Sequence, residues 1–318
     1  MEQTSHRPTW KTLLAFGVIY FVWGSTFLAI RVGVREVPPL LFAAMRFFAA
    51  GLTLFGWMAA RGERLPKRRE WIFVSVLGFL IFVVDYGLLF WAEQRVPSGI
   101  AAVMAATIPA FMAVSEILFL KTRKLTVRLG AALLIGLAGV AVLTSNSLNL
   151  GGAAIDRMSA LALIGASISW SVSSVLTRKL PLPASKGMSA GAQMLVGGIF
   201  LIGAAAAFGE FRGFQPASVS RTVWFALGYM VVAGSIIGFT AYVWLLHHES
   251  PTKVGTYAYV NPVVAVLVGY FLGGEELAPR TILGTLFVLI SVVVITTAPA
   301  GKAAVRVAVG KTEEVVRS

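Results

Sequence analysis

Cysteine is missing from the chain, so no disulfide, thiolate nucleophile or cysteine metal site is available. Charge is scarce: Asp, Glu, Lys and Arg make up 13% of 318 residues, about half the share of an average soluble protein. Histidine occurs only at His6, His247 and His248, in a terminal segment and a predicted loop. No zinc-protease helix, phosphate-binding loop or nucleophile–base pair can be assembled from what remains. The chain reads as neither a metal protein nor an enzyme, and no cofactor is expected.

What the sequence has instead is apolar surface. Hydrophobic residues reach 57% and the mean hydropathy is +0.81, a composition that cannot clothe a water-soluble domain of this size. Apolar runs between charged or Gly/Pro punctuation predict ten membrane helices, at 12–30, 37–60, 71–92, 96–120, 129–145, 158–177, 187–209, 222–246, 254–274 and 281–298. The first run is too long for a signal-peptide core and ends on Arg31, so it is read as a retained helix. No predicted loop exceeds 12 residues, which leaves nothing outside the bilayer to fold alone. The fold class is an all-α integral membrane protein.

Alternate loops differ in charge. One side (1–11, 61–70, 121–128, 178–186, 247–253 and 299–318) holds 19 Lys/Arg and six acids, and the other holds seven and six. The asymmetry predicts both termini in the cytoplasm of a bacterial-type inner membrane. It also accounts for the net charge of +13 as a topology and lipid signal, not a nucleic-acid footprint.

The two halves resemble each other. Trp23-Gly24-Ser25-Thr26 with Arg31 matches Trp170-Ser171-Val172-Ser173 with Arg178, and Leu77-Gly78 with Trp91 matches Leu227-Gly228 with Trp244. Pro97 and Pro109 pair with Pro251 and Pro262, and Arg128-Leu129-Gly130 with the run from Thr281 to Gly284, the offset drifting only between 147 and 154. Five spans per copy is an odd number, so the copies enter the membrane in opposite directions. Inverted repeats suit alternating access around a mid-membrane site. The predicted organisation is a terminal segment 1–11, a first repeat 12–145, an external linker 146–157, a second repeat 158–298 and a cytoplasmic tail 299–318.

Trp-Gly-Ser-Thr-Phe at 23–27, Arg-Phe-Phe-Ala-Ala-Gly at 46–51, Pro109, Pro262 and Leu-Gly-Gly-Glu-Glu-Leu at 272–277 before Gly284 carry a family likeness. The sequence resembles the drug/metabolite transporter superfamily in its ten-helix EamA-type branch, from residue 12 to 298, and within it the YddG-like amino-acid exporters. The first-half counterpart of the Gly-Glu segment, Lys-Thr-Arg-Lys-Leu at 121–125, has no acid, a difference read as sidedness. The resemblance implies export of small organic solutes, neutral or aromatic amino acids first and drugs or other metabolites next, with no cofactor and with function as a monomer or, alternatively, a dimer.

Three ionisable residues fall inside predicted spans: Arg46, Asp85 and Glu116. At 1.5 Å per residue, Arg46 and Asp85 lie at a similar depth, roughly 10–14 Å below the outer surface. They read as a buried structural ion pair, or Asp85 takes the amino group of a substrate or a proton. Glu116, near a helix end, is expected to snorkel toward Lys121 or Arg123.

Trp23 and Trp170 sit mid-span at matching repeat positions, with Ser25, Thr26 and Ser173 beside them. An indole N–H in hydrocarbon needs an acceptor. Either a cavity supplies one or the helices pack there through small residues. Tyr86, Tyr242, Tyr257 and Asn261 add polar handles, and Tyr257 and Tyr259, two apart, cannot face one cavity together. The candidate substrate-binding set is therefore Trp23, Ser25, Thr26, Asp85, Tyr86, Trp170, Ser173, Tyr242, Tyr257 and Asn261, with Pro109 and Pro262 as hinges or static kinks. The spans of the second half carry no Lys, Arg, Asp or Glu, which argues against phosphorylated substrates. An intramembrane enzyme lacks a His or Lys at membrane depth, and a non-transporting scaffold has no need of the inverted repeat.

Overall fold

A computed structural model describes residues 9–95, 101, 104–122, 124–143, 157–264 and 279–297. The expected linker, Pro97, Gly99, Arg123, the Gly-Glu segment 272–277 and the tail 299–318 lie outside the described residues, apart from Arg157. Everything regular among the described residues is helical, as hydrocarbon requires of a chain that must satisfy its own backbone groups.

The helices are α1 (Thr9–Gly33), α2 (Pro39–Ala60), α3 (Arg68–Glu93), α4 (Ile108–Leu120), α5 (Val127–Leu143), α6 (Arg157–Leu176), α7 (Lys186–Ala207), α8 (Arg221–His248), α9 (251–264) and α10 (Pro279–Thr297). Six of them, α1, α2, α3, α6, α7 and α8, are long and apolar enough to cross a membrane within the described residues. Local chemistry fixes several ends. Ser185, Ser220 and Ser250 accept hydrogen bonds from the backbone N–H groups of Met188, Val223 and Lys253, and so cap α7, α8 and α9. Pro39 and Pro251 open their helices where a missing N–H costs nothing.

Packing reveals the duplication. The helix α2 lies along α7 and α5 along α10, while α1 packs on α8 and α3 on α6. Adding five to each number maps the first two pairs onto themselves and exchanges the other two, the pattern of a pseudo-two-fold axis. Small residues let the self-paired helices close. A Cβ added to Gly51 of α2 would stand 2.2 Å from the backbone nitrogen of Leu195 on α7, and one on Gly139 of α5 would stand 2.9 Å from Gly284 O on α10.

Two features are invisible to helical periodicity. The helices α3 and α8 widen into π-helical turns over Phe79–Tyr86 and Met230–Ile237, equivalent positions in the two repeats. Such turns are rare and concentrate at functional sites. Donors from the other repeat reach carbonyls in them: Ser169 Oγ of α6 donates to Leu80 O at 2.7 Å, and Trp23 Nε1 of α1 donates to Gly234 O at 2.9 Å.

The two prolines sit after breaks in the chain's helices. The chain turns at 106–107, and Pro109 sits in the first turn of the segment that follows. In α9 the break falls at 255–256, and Pro262 lies inside the resumed helix. There it has no N–H to give to Ala258 O, one turn back.

Polar contacts tie the halves together near both ends. On the face where α1 begins, Glu116 of α4 accepts from the backbone N–H and hydroxyl of Thr252, at 3.3 and 2.7 Å. Glu116 is buried, and the open end of α9 offers it donors inside the bundle; Arg123, one of its expected partners, lies outside the described residues. Tyr20 and Thr256 hydroxyls meet there at 2.7 Å. On the opposite face Glu36 accepts from the backbone and hydroxyl of Ser220, at 2.7 and 2.8 Å, and Glu210 accepts from Leu41 N at 2.8 Å. Burial holds the Glu210 carboxyl above the ordinary carboxylate range, against the pull of the backbone N–H donors at the start of α2.

Candidate functional site

A cavity of about 70 Å³ lies between the repeats, walled by α1, α3, α4, α6 and α9 together with Ala105. Eight residues singled out from the sequence line it: Trp23, Thr26, Asp85, Tyr86, Trp170, Tyr257, Asn261 and Pro262. The rest of its wall is largely aliphatic, with Ile30, Leu89, Ile108 and Leu163 among the residues present.

The aromatic residues form one cluster. The ring of Trp23 stands edge-on to Trp170 at 5.5 Å and to Tyr257 at 4.8 Å between centroids. Tyr242 packs behind them, 5.0 Å from each tryptophan, with its hydroxyl on Ser174. Tyr86 meets Trp170 edge-on at 5.8 Å. Edge-to-face contacts of this kind are favoured by the ring quadrupoles and hold the rings in place without polar partners.

Two of the residues whose buried polar atoms lack a hydrogen-bond partner among the described residues, Trp170 and Asn261, line this cavity. The Trp23 N–H is taken by the π-turn of α8, as described. The Trp170 N–H lies near the Tyr242 hydroxyl but makes no aligned hydrogen bond, and Asn261 Oδ1 has no donor among the described residues. Asp85, 6% exposed, makes no ion pair or hydrogen bond within the described residues. One donor, one amide oxygen and one carboxylate thus belong to residues of a single apolar cavity. Unsatisfied buried polar groups are costly, and a site that keeps several together has a use for them.

The expected ion pair between Arg46 and Asp85 is not formed. Arg46, 1% exposed, turns across to α8, donates from Nε to Ser235 Oγ at 2.9 Å and lies over the rings of Phe47 and Tyr86, at 4.6 and 5.3 Å. Successive helical residues point about 100° apart. Asp85 is thereby left to the cavity, while its neighbour Tyr86 presents a ring face to the guanidinium. The π-turn of α8 holds the arginine in place of a carboxylate.

Other candidates stand away from the cavity wall. Ser25, two residues from Trp23 and so on another face of α1, bonds to Val22 O and to the Tyr229 hydroxyl. Ser173 is buried with an unbonded hydroxyl but is not part of the lining, and Tyr242 supports it from behind. Pro109 lies beside Ile108, which does line it. Tyr259 faces the opposite way from Tyr257 and donates to Leu133 O.

The sequence missed Ser167, a small polar residue one turn before Ser171 on α6 that lines the cavity. It also missed Glu93. It falls one residue beyond the expected span 71–92, yet it is 7% exposed on the last turn of α3.

The chain matches the EamA-like transporter family twice, over residues 9–145 and 157–297. It is 41% identical to the uncharacterized inner membrane transporter YedA of Escherichia coli strain K12, covering 89% of each chain. It is 24% identical to the uncharacterized transporter YvbV of Bacillus subtilis, over 91% of this chain and 93% of that one. It is 26% identical to the protein PecM of Dickeya dadantii, over 86% and 88%. A crystal structure of a protein 24% identical superposes with a TM-score of 0.73, over 90% of this chain and 97% of that one.

Proposed function

Because the chain belongs to the EamA-like transporter family, we propose that it is a secondary carrier exporting a small ammonium-bearing solute by alternating access. The family supports a multi-pass transporter of the plasma membrane; substrate, direction and mechanism are our reading. The observation that carries it is Asp85, a carboxylate without an ion-pair partner among the described residues, in an aromatic-walled cavity between two inverted halves. A carboxylate in that setting costs several kcal/mol unless a counter-charge arrives. The ammonium group of a solute is such a charge, and aromatic faces attract cations as well. Asn261 Oδ1 can accept a further N–H, and the Trp170 N–H can donate to a carboxylate or carbonyl of the same solute. Neutral and aromatic amino acids fit this set, with drugs and other amphipathic metabolites as the second class.

Room for about two waters, at roughly 30 Å³ each, is too little for phenylalanine, so transport requires the cavity to widen. The polar contacts at the two faces are the parts that would open in turn: Glu116–Thr252 and Tyr20–Thr256 toward the cytoplasm, Glu36–Ser220 toward the outside.

The test is counterflow. Purified protein in liposomes preloaded with one unlabelled amino acid should accelerate uptake of labelled phenylalanine, methionine or threonine at equal pH on both sides. Amine and amphipathic-drug preloads probe the second class. Failure of every ammonium solute, with des-amino analogues exchanged instead, would overturn the assignment to Asp85.

A further inference from the structure

Glu93 has no part in the site described so far. Its carboxylate is 7% exposed, and neither oxygen has a hydrogen-bond partner among the described residues. It ends α3, eight residues beyond Asp85. Leu89 lies four residues from each and lines the cavity. Positions about one turn apart share a helix face, so Asp85, Leu89 and Glu93 form one stripe that leaves the cavity toward the end of α3. By the charge asymmetry of the loops, that end is external.

The charged groups around Glu93 are known. The guanidinium groups of Arg31 on α1 and Arg46 on α2 lie within electrostatic reach. On its own helix are Asp85 and Tyr86, and α6, which packs on the other side, carries Arg157 at its outer end. Asp85 in turn is faced by Tyr86, Tyr242 and Tyr257. None of these gives Glu93 a hydrogen bond. A buried acid without donors is disfavoured as a carboxylate. A proton neutralises it, and one helical turn of apolar wall separates it from a cavity holding a second acid.

We propose that Glu93 is the entry site of a proton that passes to Asp85, coupling solute export to proton influx. The proposal rests on the carrier reading above. With the cavity open to the outside, a proton binds the Glu93 carboxylate and moves through water over Leu89 to the Asp85 carboxylate. Protonation removes the negative charge that holds the ammonium group, and the solute leaves outward. After the carrier turns, Asp85 releases the proton to the cytoplasm and takes the next ammonium. Asp85 holds a proton or a solute but not both, so one proton enters for each solute that leaves.

Liposomes carrying an internal pH-sensitive dye test this with labelled phenylalanine, threonine and methionine as probes. Wild-type protein should move protons when a probe is added and should accumulate it against an imposed pH gradient. Glu93→Gln should keep equal-pH exchange within about twofold of wild type while losing tenfold or more of both the proton signal and gradient-driven accumulation. The coupling is overturned if wild type exchanges a probe with no proton signal, a result that leaves the carrier reading intact and does not depend on the variant folding. It is overturned equally if Glu93→Gln keeps gradient-driven accumulation, or loses equal-pH exchange along with it. Wild type without any exchange of the probes removes the carrier reading and the coupling together.

Discussion

At the residue scale, the central distinction is between Asp85 as half of an ion pair and Asp85 as a free carboxylate. The two make opposite predictions for Asp85→Asn. Breaking a buried pair strands a charge and costs about 3–5 kcal/mol. With no partner within the described residues, the neutral amide should instead leave the thermal midpoint unchanged or raise it, while counterflow falls tenfold or more. Thermal unfolding in detergent, run beside the transport assay, checks both. Trp23→Phe is expected to behave differently. It keeps the ring cluster but removes the donor to Gly234 O, leaving a carbonyl of the π-turn unpaired at a cost of about 1–3 kcal/mol, read as a lowered midpoint.

The amino-acid sequence made much of the site legible at this scale. Tryptophans at matching mid-span positions, an acid inside a span and aromatic hydroxyls on neighbouring helices pointed to residues that do line one cavity. Ser25 shows where such reading stops: its type and position are right, yet two residues of helical rotation carry it to Tyr229. Glu93 shows the complementary failure. An acid one residue beyond the expected span 71–92 looks like a loop residue, and only packing against α2 and α6 reveals that it is buried.

At the element scale, the helices were legible because hydrocarbon leaves a spanning chain little else to form, and eight of the ten apolar runs match observed bounds within a few residues; the runs 96–120 and 254–274 are instead broken at 106–107 and 255–256 and only partly described. The π-turns were not. Each adds a residue to a turn, so a 3.6-residue pattern loses its phase across Phe79–Tyr86 and Met230–Ile237. Arg46 and Asp85 were matched by depth along ideal helices, and that lost phase is one reason depth did not predict contact. The close helix pairs yield a further prediction. Gly51→Ala puts a methyl group 2.2 Å from Leu195 N and should destabilise the protein by about 1–3 kcal/mol or prevent its accumulation in the membrane. Gly203→Ala, at a position with open space around it, should be neutral in the same expression and melting assay.

At the scale of the whole molecule, the exchange of partners between α1–α8 and α3–α6 relates the two halves by a pseudo-two-fold axis, with α1 and α6, and α4 and α9, in matching places around the cavity. The sidedness expected from the loop charges is directly testable, because the chain has no cysteine to confuse labelling. In intact cells, Arg212→Cys should react with an impermeant maleimide, and Lys67→Cys only after permeabilisation. The reverse result would invert the carrier, and with it the direction assigned to Glu93.

Side-by-side counterflow of labelled phenylalanine by wild type and Asp85→Asn, in liposomes at equal pH with matched folded protein, tests the account most directly. The predicted result is saturable exchange by the wild type, reduced tenfold or more in the variant. Equal exchange by both proteins would contradict it, since the cavity would then bind its solute without the Asp85 carboxylate.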